Sequence, residues 1–361
     1  MWKQYKFGRI SLAVIALSMF GFSGPVASQD LKVGFIYVGP VGDAGWTYSH
    51  DLSRKGMEKA LGGKVKTTMV ENVPEAGSEV QISKLASTGH GLIFTTSFGY
   101  MNPTIKAAKK FPKVIFEHAT GYKRSKNVGT YSARFYEGRH VIGLIAGKMT
   151  KSNVLGYVAS FPIPEVIRGI NATFLAARSV NPKVRLKIIW VSTWFDPGKE
   201  ADAAKALIDQ GADMIFTHTD STAALQVAEK RGKFGFGQGS DMSKFAPKAH
   251  LTGIIDNWTP YYTRRVREVL NGTWKPADTW EGFKEGMVQL APYNKVLPAN
   301  VKAMAEKARK GLIDGSVHAF QGPIKDQSGK VRVKAGEHAN DGLLVKMNFY
   351  VEGIDDKFPG K

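Results

Sequence analysis

The chain has 361 residues, 43% hydrophobic and 22% charged, with a net charge of +19, the balance of a globular protein long enough for two domains. It contains no cysteine, which excludes disulfides, thiolate metal sites, cysteine nucleophiles and a lipid-bearing N-terminal cysteine. The basic excess does not point to nucleic acid, because lysines and arginines stand singly or in pairs such as Lys109-Lys110 and Arg264-Arg265, without the clusters such a partner needs.

In chain order, the first segment is MWKQYKFGR, with three positive charges, followed by the apolar run ISLAVIALSMFGFSG and the small residues of PVAS. That is the layout of a secretory signal peptide, too short and too weakly flanked for a permanent membrane span. We expect cleavage near Ala27 or Ser28, so that residues 1–28 are removed. An exported protein without a lipid anchor suits the space between two bacterial membranes.

The remaining chain alternates short β runs with helical patterns. KVGFIYVG (32–39) precedes a helix over 46–61, KVKTTMVEN (64–72) a helix near 75–88, and GLIFTTS (91–97) a helix near 102–111, before VIFEHATG (114–121). The rhythm then restarts: NVLGYVAS (153–160), VRLKIIWVST (184–193) and ADMIFTHTD (212–220) each lead into a helix. Alternation of this kind predicts two α/β lobes, each a doubly wound parallel sheet covered by helices on both faces. One local pair repeats: IFTTS at 93–97 and IFTHT at 215–219 sit third in their own series.

Ligands of open parallel sheets bind beyond the carboxyl ends of the strands. The residues just after the strands are Asp43 and Trp46; Phe98 and Tyr100; Glu117 and His118; Phe161; Trp194, Phe195 and Asp196; Asp220; Asp241; and Asp256, Asn257 and Trp258. Aromatics placed in a wet cleft call for a flat apolar ligand to cover them, with carboxylates and amides fixing its edge. Each has a plainer reading. Trp46 could begin a helix core, Phe98 and Phe161 could pack under loops, Asp43 could stabilise a turn, Asp196 and Asp220 could cap helices, and Glu117-His118 could be structural. The loop GPVGDAG (39–45) is not G-x-G-x-x-G, Gly147-Lys148 is followed by Met149, and H-E-x-x-H is absent, so dinucleotide, P-loop and zinc-protease readings fail. The glycines fit a tight turn that brings backbone close to a ligand.

These motifs resemble the basic membrane protein family of ABC-transporter solute-binding proteins, which includes purine nucleoside receptors. The resemblance runs from about residue 31 to beyond 290. It rests on GDAGW (42–46), IFTTSFG (93–99), YEGRHVIGLIAGKM (136–149), GQGSDM (237–242) and GFKEGMVQLAP (282–292). The family usually carries a D-x-S-F-N-Q type sequence in the first loop; here Trp46 is the aromatic and TYSHD follows.

The resemblance implies a type I periplasmic-binding-protein fold, two lobes on a hinge, and a purine stacked between aromatics. Carried over by position, it implies ligand contacts at Asp43, Trp46, Phe98 and Asp241, with Lys284 a further polar contact. Phe161, Trp194 and Asp220 join them from the strand-end reading. We expect lobe 1 to comprise 29–149 and about 253–285, and lobe 2 to comprise 150–252 and about 286–361. The resemblance further implies a monomeric periplasmic receptor with no cofactor, no metal and no catalysis, delivering a free base such as adenine, or a purine nucleoside, to an inner-membrane permease. The alternatives are a same-fold receptor for a sugar or amino acid, and an exported nucleoside hydrolase using Asp220 and Asp241.

Overall fold

The computed structural model describes residues 1, 2, 4 and 30–359. The expected signal peptide therefore lies almost wholly outside the described residues. Among the latter, no helix is long and apolar enough to cross a membrane.

The chain first lays down β1 (Leu31–Ile36), α1 (Gly45–Leu61), β2 (Val65–Val70), α2 (Ser78–Ser87), β3 (Leu92–Thr95), α3 (Met101–Lys110), β4 (Ile115–Ala119) and β5 (Val128–Ala133). After α4 (Phe135–Met149) come β6 (Val154–Ala159), α5 (Pro164–Val180), β7 (Arg185–Trp190), α6 (Pro197–Asp209), β8 (Met214–His218), α7 (Ala223–Lys230), β9 (Phe234–Gly237) and β10 (His250–Asp256). The last part contributes α8 (Thr259–Leu270), β11 (Asp278–Glu281), β12 (Val288–Leu290) and α9 (Ala299–Asp314). Two six-stranded sheets result, ordered β2-β1-β3-β4-β5-β11 and β7-β6-β8-β9-β10-β12. All pairings are parallel except that of β12 with β10. Continuous apolar strands such as LIFT and MIFTH are buried along their whole length, as a sheet with helices on both faces requires.

The strand order shows where the chain changes sheet. It leaves the first sheet after Ala133, returns after Asp256 so that α8 packs on α1, and crosses again between β11 and β12. The expected lobe break at 149 is thus corrected: α4 packs against α5, and belongs with the second sheet. The reason is steric. Gly143 and Gly147 lie one helical turn apart and face Thr173 and Ala177 of α5, where a side chain on either glycine would strike backbone. The return after 252 moves likewise, because β10 stays in the second sheet to Asp256. β5, absent from the sequence reading, carries Gly129 and Ser132 and lacks a long apolar run; only its pairing with β4 and β11 makes it a strand.

Each lobe has an aromatic core. Phe35 stacks on Phe94 at 4.8 Å, with Tyr262 of α8 4.4 Å from Phe94. In the second sheet Phe216 and Phe236 stack at 4.7 Å. Glu117 is fully buried under α8, accepting from Tyr261 Oη at 2.6 Å, Arg265 Nε at 2.7 Å and Trp274 Nε1 at 2.7 Å. Burial pushes this carboxyl above its ordinary range, opposed chiefly by the Arg265 guanidinium.

Candidate ligand-binding site

The carboxyl ends of both sheets face one another, and the lobes are closed. The loop after β1 makes the main inter-lobe contact. Gly45 opens α1 with φ 84°, and a methyl group there would drive into the Asp220 carbonyl. A Cβ on Gly239, at φ 78°, would sit 2.8 Å from the Gly45 carbonyl carbon. The first N–H groups of a helix have no partner within it. Here the opposite lobe meets the first two: Gly45 N–H donates to Ser240 Oγ at 2.8 Å, and Trp46 N–H faces the Asp220 carboxylate and favours its charged form.

The hinge crossings lie at the β5/β10 edge of the sheets, so the loops after β2 and β7, at the other edge, frame the mouth. There Trp194 Nε1 donates to Glu75 Oε1 at 3.3 Å across the lobes. Glu75 also accepts from Ser97 Oγ at 2.5 Å and Gly99 N–H at 2.9 Å, which sets the turn that carries Phe98.

Between these contacts lies a narrow cavity of about 30 Å³. Trp46, Phe98 and Trp194 provide its aromatic walls, and Glu165, His218, Asp220 and Gln238 its polar ones. The Trp46 indole is fixed on three sides. Its Nε1 donates to Thr96 O at 2.6 Å, and its ring meets His50 at 4.4 Å and Trp258 at 5.4 Å, edge to face. Phe98, Thr120 and Glu165 are shared with an outer chamber of about 600 Å³, bounded by Tyr122, Arg168 and Trp280.

The electrostatics are acidic. Burial, and then Glu200, pushes the Asp220 carboxyl well above its ordinary range, against the Trp46 N–H. Burial does the same to Asp256, with Glu165 and Asp220 adding to it. His218, between Tyr157 Oη at 3.2 Å and Glu165 at 3.6 Å, is held down at about 4 by burial and is neutral at ordinary pH.

Of the residues expected from sequence, Trp46, Phe98, Trp194 and Asp220 come together on this cavity. Phe161 stands behind it, its ring 5.2 Å from Trp194. Asp43, Asp241 and Lys284 are not brought in. Asp43 is exposed on the outer rim. The Asp241 carboxylate accepts the Ser243 N–H at 2.9 Å in its own turn. Lys284 is exposed in the crossing between β11 and β12. Asp196 is the helix cap of its plainer reading, accepting the Lys199 N–H at 3.0 Å, whereas Asp220 does not cap the α7 that follows it.

The sequence reading missed Glu75, Ser97, Thr120, Glu165, His218 and Gln238. The repeated pair held part of the signal: aligned on IFTTS and IFTHT, Phe98 falls on Asp220, and both line the cavity.

A family model described as ABC transporter substrate-binding protein, PnrA-like, matches residues 30–318. A purine-binding protein of Brucella abortus is 57% identical over 349 residues, 96% of this chain and 99% of that protein. A putative ABC transporter glucose-binding protein of Haloferax volcanii is 33% identical, covering 93% of this chain and 83% of its own length. Among solved structures, an ABC transporter solute-binding protein of Aeropyrum pernix superposes with a TM-score of 0.69 at 18% identity, over 82% of this chain and 93% of that one.

Proposed function

The chain belongs to the family of PnrA-like ABC-transporter substrate-binding proteins, and on that premise we propose that it is the periplasmic receptor of an importer and binds a purine in the cleft between its lobes. The observation that carries the reading is the meeting of Trp46, Phe98 and Trp194, from three separate loops and both lobes, on one closed cavity. Three aromatic side chains gathered on one cleft suit a planar heterocycle, whose stacking is worth about 0.5–1.5 kcal/mol per aromatic pair beyond burial. The identical positions shared with a protein named for purine binding support the same class.

The ligand enters while the lobes are apart. Closure then brings Asp220 and Gln238 of the second lobe to a ring already lying on Trp46 and Phe98. Closure is stabilised by the difference in ligand free energy between the closed and open forms. The closed, monomeric receptor presents a surface to the permease that the open one lacks. The outer chamber beyond Phe98 and Thr120 adjoins the aromatic walls, so a free base and a nucleoside are both tested. Binding involves no covalent step, and the ligand leaves the cleft unchanged.

Calorimetry with adenine, adenosine and glucose, with mass spectrometry of the recovered ligand, tests this. Tight binding of one purine, recovered intact, is the expected result. Binding of glucose alone would move the assignment to the sugar class, and release of ribose from adenosine would make the protein a hydrolase.

A further inference from the structure

Asp220 stands on the cavity wall with few donors of its own. The residues on either side of it are committed elsewhere: Thr219 Oγ1, Ser221 Oγ and Ser221 N–H donate to Glu200 of α6 at 2.8, 2.6 and 3.2 Å. The one N–H that favours the charged Asp220 carboxylate is that of Trp46, and it comes from the other lobe.

The groups that face Asp220 are mostly acids: Glu200 behind it, Glu165 of α5 beside it, and Asp256 at the end of β10. Asp256 is buried with neither carboxylate oxygen hydrogen-bonded. His218 of β8 is neutral. Arg139 of α4 is the buried cation behind them, and it spends its Nη2 on Thr217 O at 2.8 Å and Gln238 Oε1 at 2.6 Å. Arg168 of α5, which faces Glu165, donates to Leu344 O at 2.7 Å. Among the described residues no lysine or arginine forms an ion pair with Asp220, Glu165, Glu200 or Asp256. An ionised carboxylate only accepts, whereas a protonated one also donates. Closing several carboxyls without a cation into one dry space favours their neutral forms, at Asp220 on the cavity wall as at the unpartnered Asp256 behind it.

We infer that Asp220 reads the purine ring as a neutral acid: its O–H donates to an unprotonated ring nitrogen while its carbonyl oxygen accepts a neighbouring ligand N–H, and the proton is taken from solvent as the lobes close. This rests on the purine reading above. The upward displacement of this carboxyl by burial agrees with it. The sign follows. Asp220 is ionised in the open receptor at neutral pH and protonated in the closed complex. Affinity is therefore full at acid pH and falls as pH rises toward the closed-form value, by up to about tenfold per pH unit.

The test is calorimetry of the full mature chain with adenine, from about pH 6 to about pH 8.5, in buffers of high and low ionisation enthalpy. Close to one proton should be taken up per adenine at neutral pH, with Kd rising with pH. The isosteric D220N, which carries a permanent donor, should bind adenine with no proton uptake and a flat pH profile. Adenine binding without proton uptake in the natural protein overturns this inference and leaves the purine reading standing. Undiminished uptake in D220N also overturns it. Failure to bind any purine at any pH overturns both. The natural-protein titration needs no variant, so the outcome does not depend on whether D220N folds.

Discussion

Replacing Trp46 with alanine tests the site most directly. The indole is held by the Nε1–Thr96 O bond and by edge contacts to His50 and Trp258, so it offers a pre-set face and loses little freedom when a ligand lands on it. Stacking one planar ring on that face removes roughly 100 Å² of combined apolar surface from water, about 2.5 kcal/mol at about 25 cal/mol/Å². Ring electrostatics adds about 0.5–1.5 kcal/mol. The expected loss of about 3–4 kcal/mol weakens binding by two to three orders of magnitude. Calorimetry with adenine and adenosine measures it, with the thermal midpoint and far-ultraviolet circular dichroism showing that the first lobe stays folded. A folded Trp46→Ala protein with unchanged affinity for every purine would refute the reasoning, because the ring would then be a wall the ligand does not touch.

Three further changes probe closure and stability. Gly45→Ala should cost about 1 kcal/mol in the empty protein for a side chain at positive φ, and more than about tenfold in affinity, since its methyl meets the Asp220 carbonyl only when the lobes are shut; equal affinity to the natural protein would contradict the closed contact. Trp194→Phe keeps a ring but removes the Nε1–H that donates to Glu75, so stopped-flow dissociation should quicken by about fivefold, about 1 kcal/mol, with association unchanged; a change confined to association would assign Trp194 to entry instead. Arg265→Ala strips the cation from the buried Glu117 and should lower stability by about 3–5 kcal/mol at neutral pH. That loss should shrink as acid protonates Glu117, whose burial already raises its pKa. A loss that does not change with pH would mean the damage is packing alone.

The amino-acid sequence by itself determined the elements and their class. Buried apolar runs such as LIFT and MIFTH, separated by helical patterns, are local signals, readable because a strand covered on both faces must be apolar throughout. The positions after those strands were equally legible, and Trp46, Phe98, Trp194 and Asp220 came from them. Which lobe α4 joins was decided by tertiary structure, since the close approach of Gly143 and Gly147 to α5 involves residues some thirty positions away. So was the direction of each side chain at the strand ends. Asp220 turns to the cavity because Glu200 draws off the donors around it, while Asp241, in an equally acidic loop, turns back on its own Ser243. Glu75 and Glu165 gave no local sign, because a carboxylate on a loop or a first helical turn looks the same in sequence whether it faces water or another lobe. Glu75 is marked out by its bond from Trp194, which forms only when the two lobes meet, and Glu165 by its place beside His218, which forms only when α5 packs over β8.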